Sequence, residues 1–117
     1  MARRVLIASN IHFARAKLQA ILESQGHDVM LADDASEALQ KFLMWTPDYV
    51  VLDTNLDYLV ALAAIREISP KAPVLVCAGL GQKELITQAR KLGATDFLAK
   101  PFQPDNVEEA FARLRAA

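Results

Sequence analysis

Short apolar runs alternate along the chain with longer segments of helical period. The runs are Val5–Ala8, Val29–Leu31, Tyr49–Leu52, Val74–Ala78 and Thr95–Ala99. All but the last are apolar throughout, as in strands of a parallel sheet covered on both faces. In the first helical segment Ile11, Ala14, Leu18, Ile21 and Leu22 share a face, and Gly26 follows as a stop. Asp34 with Glu37 makes a capping-box-like start to the second, with Leu39, Phe42 and Leu43 inward and Pro47 just past its end. The third runs from Leu56 to Ile68 and stops before Ser69-Pro70. The fourth carries Leu85, Ile86, Ala89 and Leu92, then Gly93. The fifth takes Pro104 in its first turn, with Val107, Ala110, Phe111 and Leu114 behind it.

Five βα units in this order predict an α/β fold with an open, doubly wound parallel sheet. The functional crevice of such a sheet lies at the carboxyl ends of its strands. Ser9, Asn10, Asp53, Ala78, Gly79 and Lys100 are the residues that fall there. The 117 residues suit a single domain, 1–117, with one proper core. No apolar run approaches the roughly 20 residues of a membrane span, and Val5–Ala8 is too short for a signal peptide. The lone Cys77 cannot form an internal disulfide, in keeping with a cytoplasmic location; within an apolar strand it reads as a small buried hydrophobe. A net charge of −1 with interspersed signs speaks against a nucleic-acid surface.

At these crevice positions the chain resembles the CheY-like receiver domains of response regulators. Pro47-Asp48-Tyr49-Val50-Val51-Leu52-Asp53 resembles the receiver strand that ends in the phosphoacceptor aspartate. Gly93-Ala94-Thr95-Asp96-Phe97-Leu98-Ala99-Lys100-Pro101-Phe102 resembles the fifth strand and its Lys-Pro element, and Ala32–Leu39 and Pro73–Val76 fit as well. The resemblance implies a flavodoxin-like (βα)5 fold with strand order 2-1-3-4-5, a cis Lys100–Pro101 bond and two-component signalling. It makes Asp53 the phosphoacceptor candidate and Phe97 the switch-aromatic position.

The departures are chemical. Receivers pair two acidic residues after the first strand to hold Mg²⁺; here they are Ser9 and Asn10. A Thr or Ser at the end of the fourth strand normally reaches the phosphoryl group; here it is Ala78. Thr54-Asn55-Leu56-Asp57 replaces the usual segment after the acceptor and puts Asn55 in the pocket. Mg²⁺ is ordinarily retained by one or two carboxylates, and phosphotransfer needs it to screen the incoming charge. With Asp53 the one evident carboxylate, Mg²⁺ binding is expected to be weak or absent. Asp53 and Lys100 are then expected to neutralise each other directly, and Ala78 and Phe97 leave no hydroxyl lever to the fourth helix.

Each residue also has a plainer reading. Asp53 is either a phosphoacceptor or a strand-end residue capping the next loop. Ser9 and Asn10 read as caps of the first helix rather than metal ligands. His12 stands alone and reads as a surface histidine, His27 as a turn residue. Lys83, Glu84, Arg90 and Lys91 read as the solvated face of the fourth helix. Leu56, Tyr58, Leu59, Val60, Leu62 and Ile65 cover more of the third helix than one buried stripe needs, so either the helix sinks deeper or an apolar patch meets a partner, the reading preferred. Trp45 either extends that surface or covers the core edge.

The leading expectation is a non-enzymatic pseudo-receiver that docks a protein partner or a second copy. It would use either the third helix or the face of Gln82–Leu92, Phe97–Ala99 and Pro104–Leu114, with no nucleic acid or membrane involved. The alternative is a phosphorelay receiver phosphorylated inefficiently on Asp53. A flavin or small-ligand domain is disfavoured because Ala8-Ser9-Asn10-Ile11 has no glycine-rich cradle and no G-x-G-x-x-G occurs. No Ser–His–Asp or Cys–His set points to hydrolysis.

Overall fold

A computed structural model describes residues 3–54, 57–79 and 81–116. Strands and helices alternate among them: β1 (Arg4–Ala8), α1 (His12–Ser24), β2 (Asp28–Ala32), α2 (Ala35–Trp45), β3 (Tyr49–Asp53), α3 (Tyr58–Ile68), β4 (Val74–Ala78), α4 (Lys83–Lys91), β5 (Asp96–Ala99) and α5 (Pro104–Ala116). The strands form one parallel sheet in the order β2-β1-β3-β4-β5, the flavodoxin-like arrangement expected from the sequence.

Strand side chains point alternately to opposite faces, which explains the continuous apolar runs. Val5, Ile7, Tyr49, Val51, Leu75 and Cys77 pack under α1 and α5, against Leu18, Leu22, Val107 and Phe111. Leu6, Ala8, Val50, Leu52, Val74 and Val76 meet α2, α3 and α4 through Ala38, Phe42, Leu62, Ile65 and Ala89. β2 lies at the sheet edge and buries only Ala32 outright, so its apolar run is the shortest. Among the described residues no helix is long and apolar enough to cross a membrane.

The helix ends follow their local chemistry. Asp34 accepts the Glu37 N–H at 2.7 Å and caps α2. Gly26, at φ +90°, lets His27 N donate back to Leu22 O at 3.0 Å, closing α1. Gly93, at φ +98°, serves α4 in the same way, with Ala94 N bonded to Ala89 O at 3.0 Å. Beside Gly93 the Arg66 side chain donates to Gly93 O and Ala72 O, each at 2.7 Å, and to Thr95 Oγ1 at 3.0 Å.

Several packing expectations are corrected. Leu43 does not face inward; it is 58% exposed. α3 starts at Tyr58, and Leu56 lies outside the described residues. Tyr58, Leu62 and Ile65 are buried and Leu59 packs against the core, leaving Val60 as the well-exposed member of the described set. The apolar excess of α3 therefore goes mostly inward. Trp45 covers the core edge at the amino end of the sheet, under the Arg4 guanidinium at 4.8 Å from its ring centroid.

Candidate functional site at the carboxyl ends of the strands

β1 and β3 are neighbours with Ala8 opposite Leu52, so Ser9 and Asp53 emerge side by side. Asp53 is 3% exposed. Its Oδ2 accepts from Ser9 Oγ at 2.8 Å, and its Oδ1 accepts from Lys100 Nζ at 2.7 Å. Lys100 follows β5, its own N–H bonds to Ala78 O at 3.1 Å, and the Lys100–Pro101 peptide is cis. A buried carboxylate is costly unless paired and hydrogen-bonded. Here a cation and a hydroxyl, both from the protein, meet that need.

The capping reading of Ser9 and Asn10 is corrected. The N-cap position of α1 falls on Ile11, with no side-chain cap bond among the described residues. Ser9 Oγ accepts from Ile11 N at 3.1 Å but directs its proton to Asp53, the stronger, charged acceptor. Asn10 is exposed. Asn55 lies outside the described residues. Ala78 is buried at the end of β4 and offers only a methyl group. Phe97 is half-buried, with the Arg90 guanidinium 4.9 Å from its ring centroid. On the same strand, burial works to raise the Asp96 carboxyl, but the Arg113 hydrogen bond, the Phe97 N–H and the Arg113 and Arg90 charges outweigh it and hold it below the usual range.

Two further residues join the site without having been singled out in the sequence. Arg15 donates to Ser9 O at 3.0 Å and to the Asp33 carboxylate at the end of β2. The Arg15 hydrogen bond and charge hold the exposed Asp33 carboxyl below its ordinary range. A faint signal existed: a cation in the first turn of a helix opposes the macrodipole and calls for a partner. Gln82 bridges Gly79 and Thr54, and nothing in its sequence context marks it.

His12 is exposed, 3.8 Å from Asp33 and not on Asp53. Cys77 is buried, and that burial together with the Asp53 charge pushes its thiol far above the ordinary range, so it is no ready nucleophile.

The donor set does not match a hard divalent ion. Asp53 is engaged by a fixed ammonium, Asp33 by Arg15, and Ser9 gives its proton to Asp53. Among the described residues no three His, Cys, Asp or Glu side chains are placed to hold a metal. Octahedral Mg²⁺ asks for free anionic oxygens, and here each of these carboxylates already has a cation.

A buried aspartate at the end of the middle strand, a lysine beyond the last strand and the 2-1-3-4-5 order define a receiver-type α/β domain. The sequence matches the response regulator receiver domain over residues 5–112, and the chain belongs to that family, the receivers of two-component signalling. The chemotaxis protein CheY of Thermotoga maritima is 36% identical over 118 residues, covering 97% of this chain and 98% of that protein. The structure of NtrX from Brucella abortus superposes with a TM-score of 0.90 at 30% identity over 99% of this chain, which spans only 27% of that protein. The chemotaxis response regulator CheY4 of Vibrio cholerae is 25% identical with a TM-score of 0.88, covering 97% and 99% of the two chains.

Proposed function

We propose that this receiver domain acts mainly as a phosphorylation-independent protein-interaction module, not as an enzyme, in the cytoplasm. One observation supports the reading most: the Asp53 carboxylate is held from two sides by Lys100 and Ser9, at 2.7 and 2.8 Å. The charge neutralisation that other receivers draw from Mg²⁺ is supplied here by a side chain. A phosphoryl donor would meet an occupied carboxylate without a metal to screen its charge. Ala78 would then have no hydroxyl with which to relay the change.

The module would bind a protein partner or a second copy through the α4-β5-α5 face or through α3, with no nucleic acid and no membrane. Burial of Tyr58, Leu62 and Ile65 weakens the case for α3 and favours the first face. A second reading keeps Asp53 as an inefficient phosphoacceptor, and the retention of Asp53 and Lys100 speaks for it.

Labelled acetyl phosphate with Mg²⁺ separates the two. The interaction-module reading expects no label above that of the Asp53→Asn variant. Alkali-labile, hydroxylamine-sensitive label lost on that substitution would give the phosphoacceptor reading the lead.

A further inference from the structure

Gln82 ties together three segments that meet at the crevice. Its Oε1 accepts the Gly79 N–H at 2.6 Å, and its Nε2 donates to Thr54 Oγ1 at 3.2 Å. Thr54 directly follows Asp53 at the end of β3, and Gly79 directly follows Ala78 at the end of β4. Gln82 is also the N-cap residue of α4, and its carbonyl accepts Ile86 N at 3.1 Å. A primary amide is suited to such a bridge, since it accepts through oxygen and donates through nitrogen at once. One turn on, Tyr58 Oη of α3 reaches Leu85 O of α4 at 3.3 Å.

α4 depends on such ties more than its neighbours do. Of its residues only Ala89 is fully buried, whereas α3 buries Tyr58, Ala61, Leu62 and Ile65. An element with little apolar burial opens locally at low cost unless polar contacts hold it.

We infer that Gln82 is a latch holding α4 in one position through the ends of β3 and β4. The tie consists wholly of protein groups and needs no bound phosphoryl. The inference rests on the interaction-module reading, because a partner face displayed without a phosphate signal requires α4 to be fixed by other means. Gln82 is a positioning residue here, acting through Thr54 and Gly79.

Amide hydrogen exchange on the full chain tests it, with and without Mg²⁺ and beryllofluoride. In Gln82→Ala the amides of residues 83–92 should exchange about tenfold faster, while those of β1 and β3 keep their parent rates. Gln82→Glu keeps the acceptor for Gly79 and can also accept from the Thr54 hydroxyl, which lies 3.4 Å from Gln82 Oε1, so its amides should exchange more slowly than those of Gln82→Ala. Thr54→Val removes the bond between Gln82 and Thr54 with little change in volume and carries the test if Gln82→Ala does not fold. Equal exchange of residues 83–92 in parent and both loosening variants would overturn the latch. The module reading fails separately: beryllofluoride would then change exchange at residues 83–92 in the parent, while Gln82→Ala still loosened them without it.

Discussion

Lys100 Nζ lies 2.7 Å from Asp53 Oδ1, on a carboxylate that is 3% exposed, while the lysine side chain is 21% exposed. Removing one partner of such a pair leaves an uncompensated buried charge, at a cost of roughly 3–5 kcal/mol. The Ser9 bond stays in place, so Lys100→Met is expected near the lower end of that range by urea unfolding. Adding Asp53→Asn should recover most of the loss. A cost under about 1 kcal/mol would place the pair in the class of exposed ion pairs.

Restoring the missing carboxylates should restore the metal. Ser9→Asp with Asn10→Asp puts acidic groups beside Asp53 in place of a hydroxyl and an amide. Without metal the variant should unfold at lower temperature than the parent, because like charges crowd a buried site. Millimolar Mg²⁺ should raise its melting temperature and leave that of the parent unchanged. An equal rise in both proteins would show that Ser9 and Asn10 already suffice.

His27 should make stability fall in mild acid. Burial, then the Arg115 charge, lower its pKa below the ordinary 6.5, and its Nδ1 has no hydrogen-bond partner among the described residues. The unfolded chain therefore binds a proton on His27 before the folded chain does. Its contribution is intact above 6.5 and is lost as pH falls from there through the lower folded-state value. The urea midpoint of His27→Gln relative to the parent should rise between pH 7.5 and pH 5. A constant difference would mean that His27 titrates alike in both states.

Gly93 combines a left-handed backbone with a close neighbour. An added Cβ would sit 2.9 Å from Arg66 Nε at φ +98°. Gly93→Ala should cost on the order of 1–3 kcal/mol, lowering the melting temperature by several degrees. Gly26→Ala shares the positive φ but meets nothing within 4 Å, and should cost less.

Much of this architecture could be read from the chain. The five apolar runs located every strand, because strands covered on both faces leave little room for polar residues. Asp34, Gly26 and Gly93 marked helix ends through capping chemistry that acts within a few residues. The meeting of Asp53 with Lys100 was legible because both lie at strand ends in a known strand order. Contacts set by side-chain reach were not. Ser9 looked like a cap because its neighbours in sequence are a helix start, whereas its stronger partner lies 44 residues away. Arg15 and Asp33 gain their roles only once β1 and β2 are side by side, and Gln82 only once β3 and β4 are. Leu43 lies in the last turn of α2, off the face that Ala38 and Phe42 bury. Trp45, a natural fluorescent probe, lies at the amino end of the sheet and is a poor reporter for the crevice.

The most direct test is a titration of the backbone amide signals of Ser9, Thr54 and Gly79 with Mg²⁺ to millimolar concentration, followed by beryllofluoride. A crevice closed by Asp53, Ser9 and Lys100 should give no saturable shift at any of the three. A saturable shift that Asp53→Ala abolishes would contradict that closure and make the domain a working phosphoacceptor.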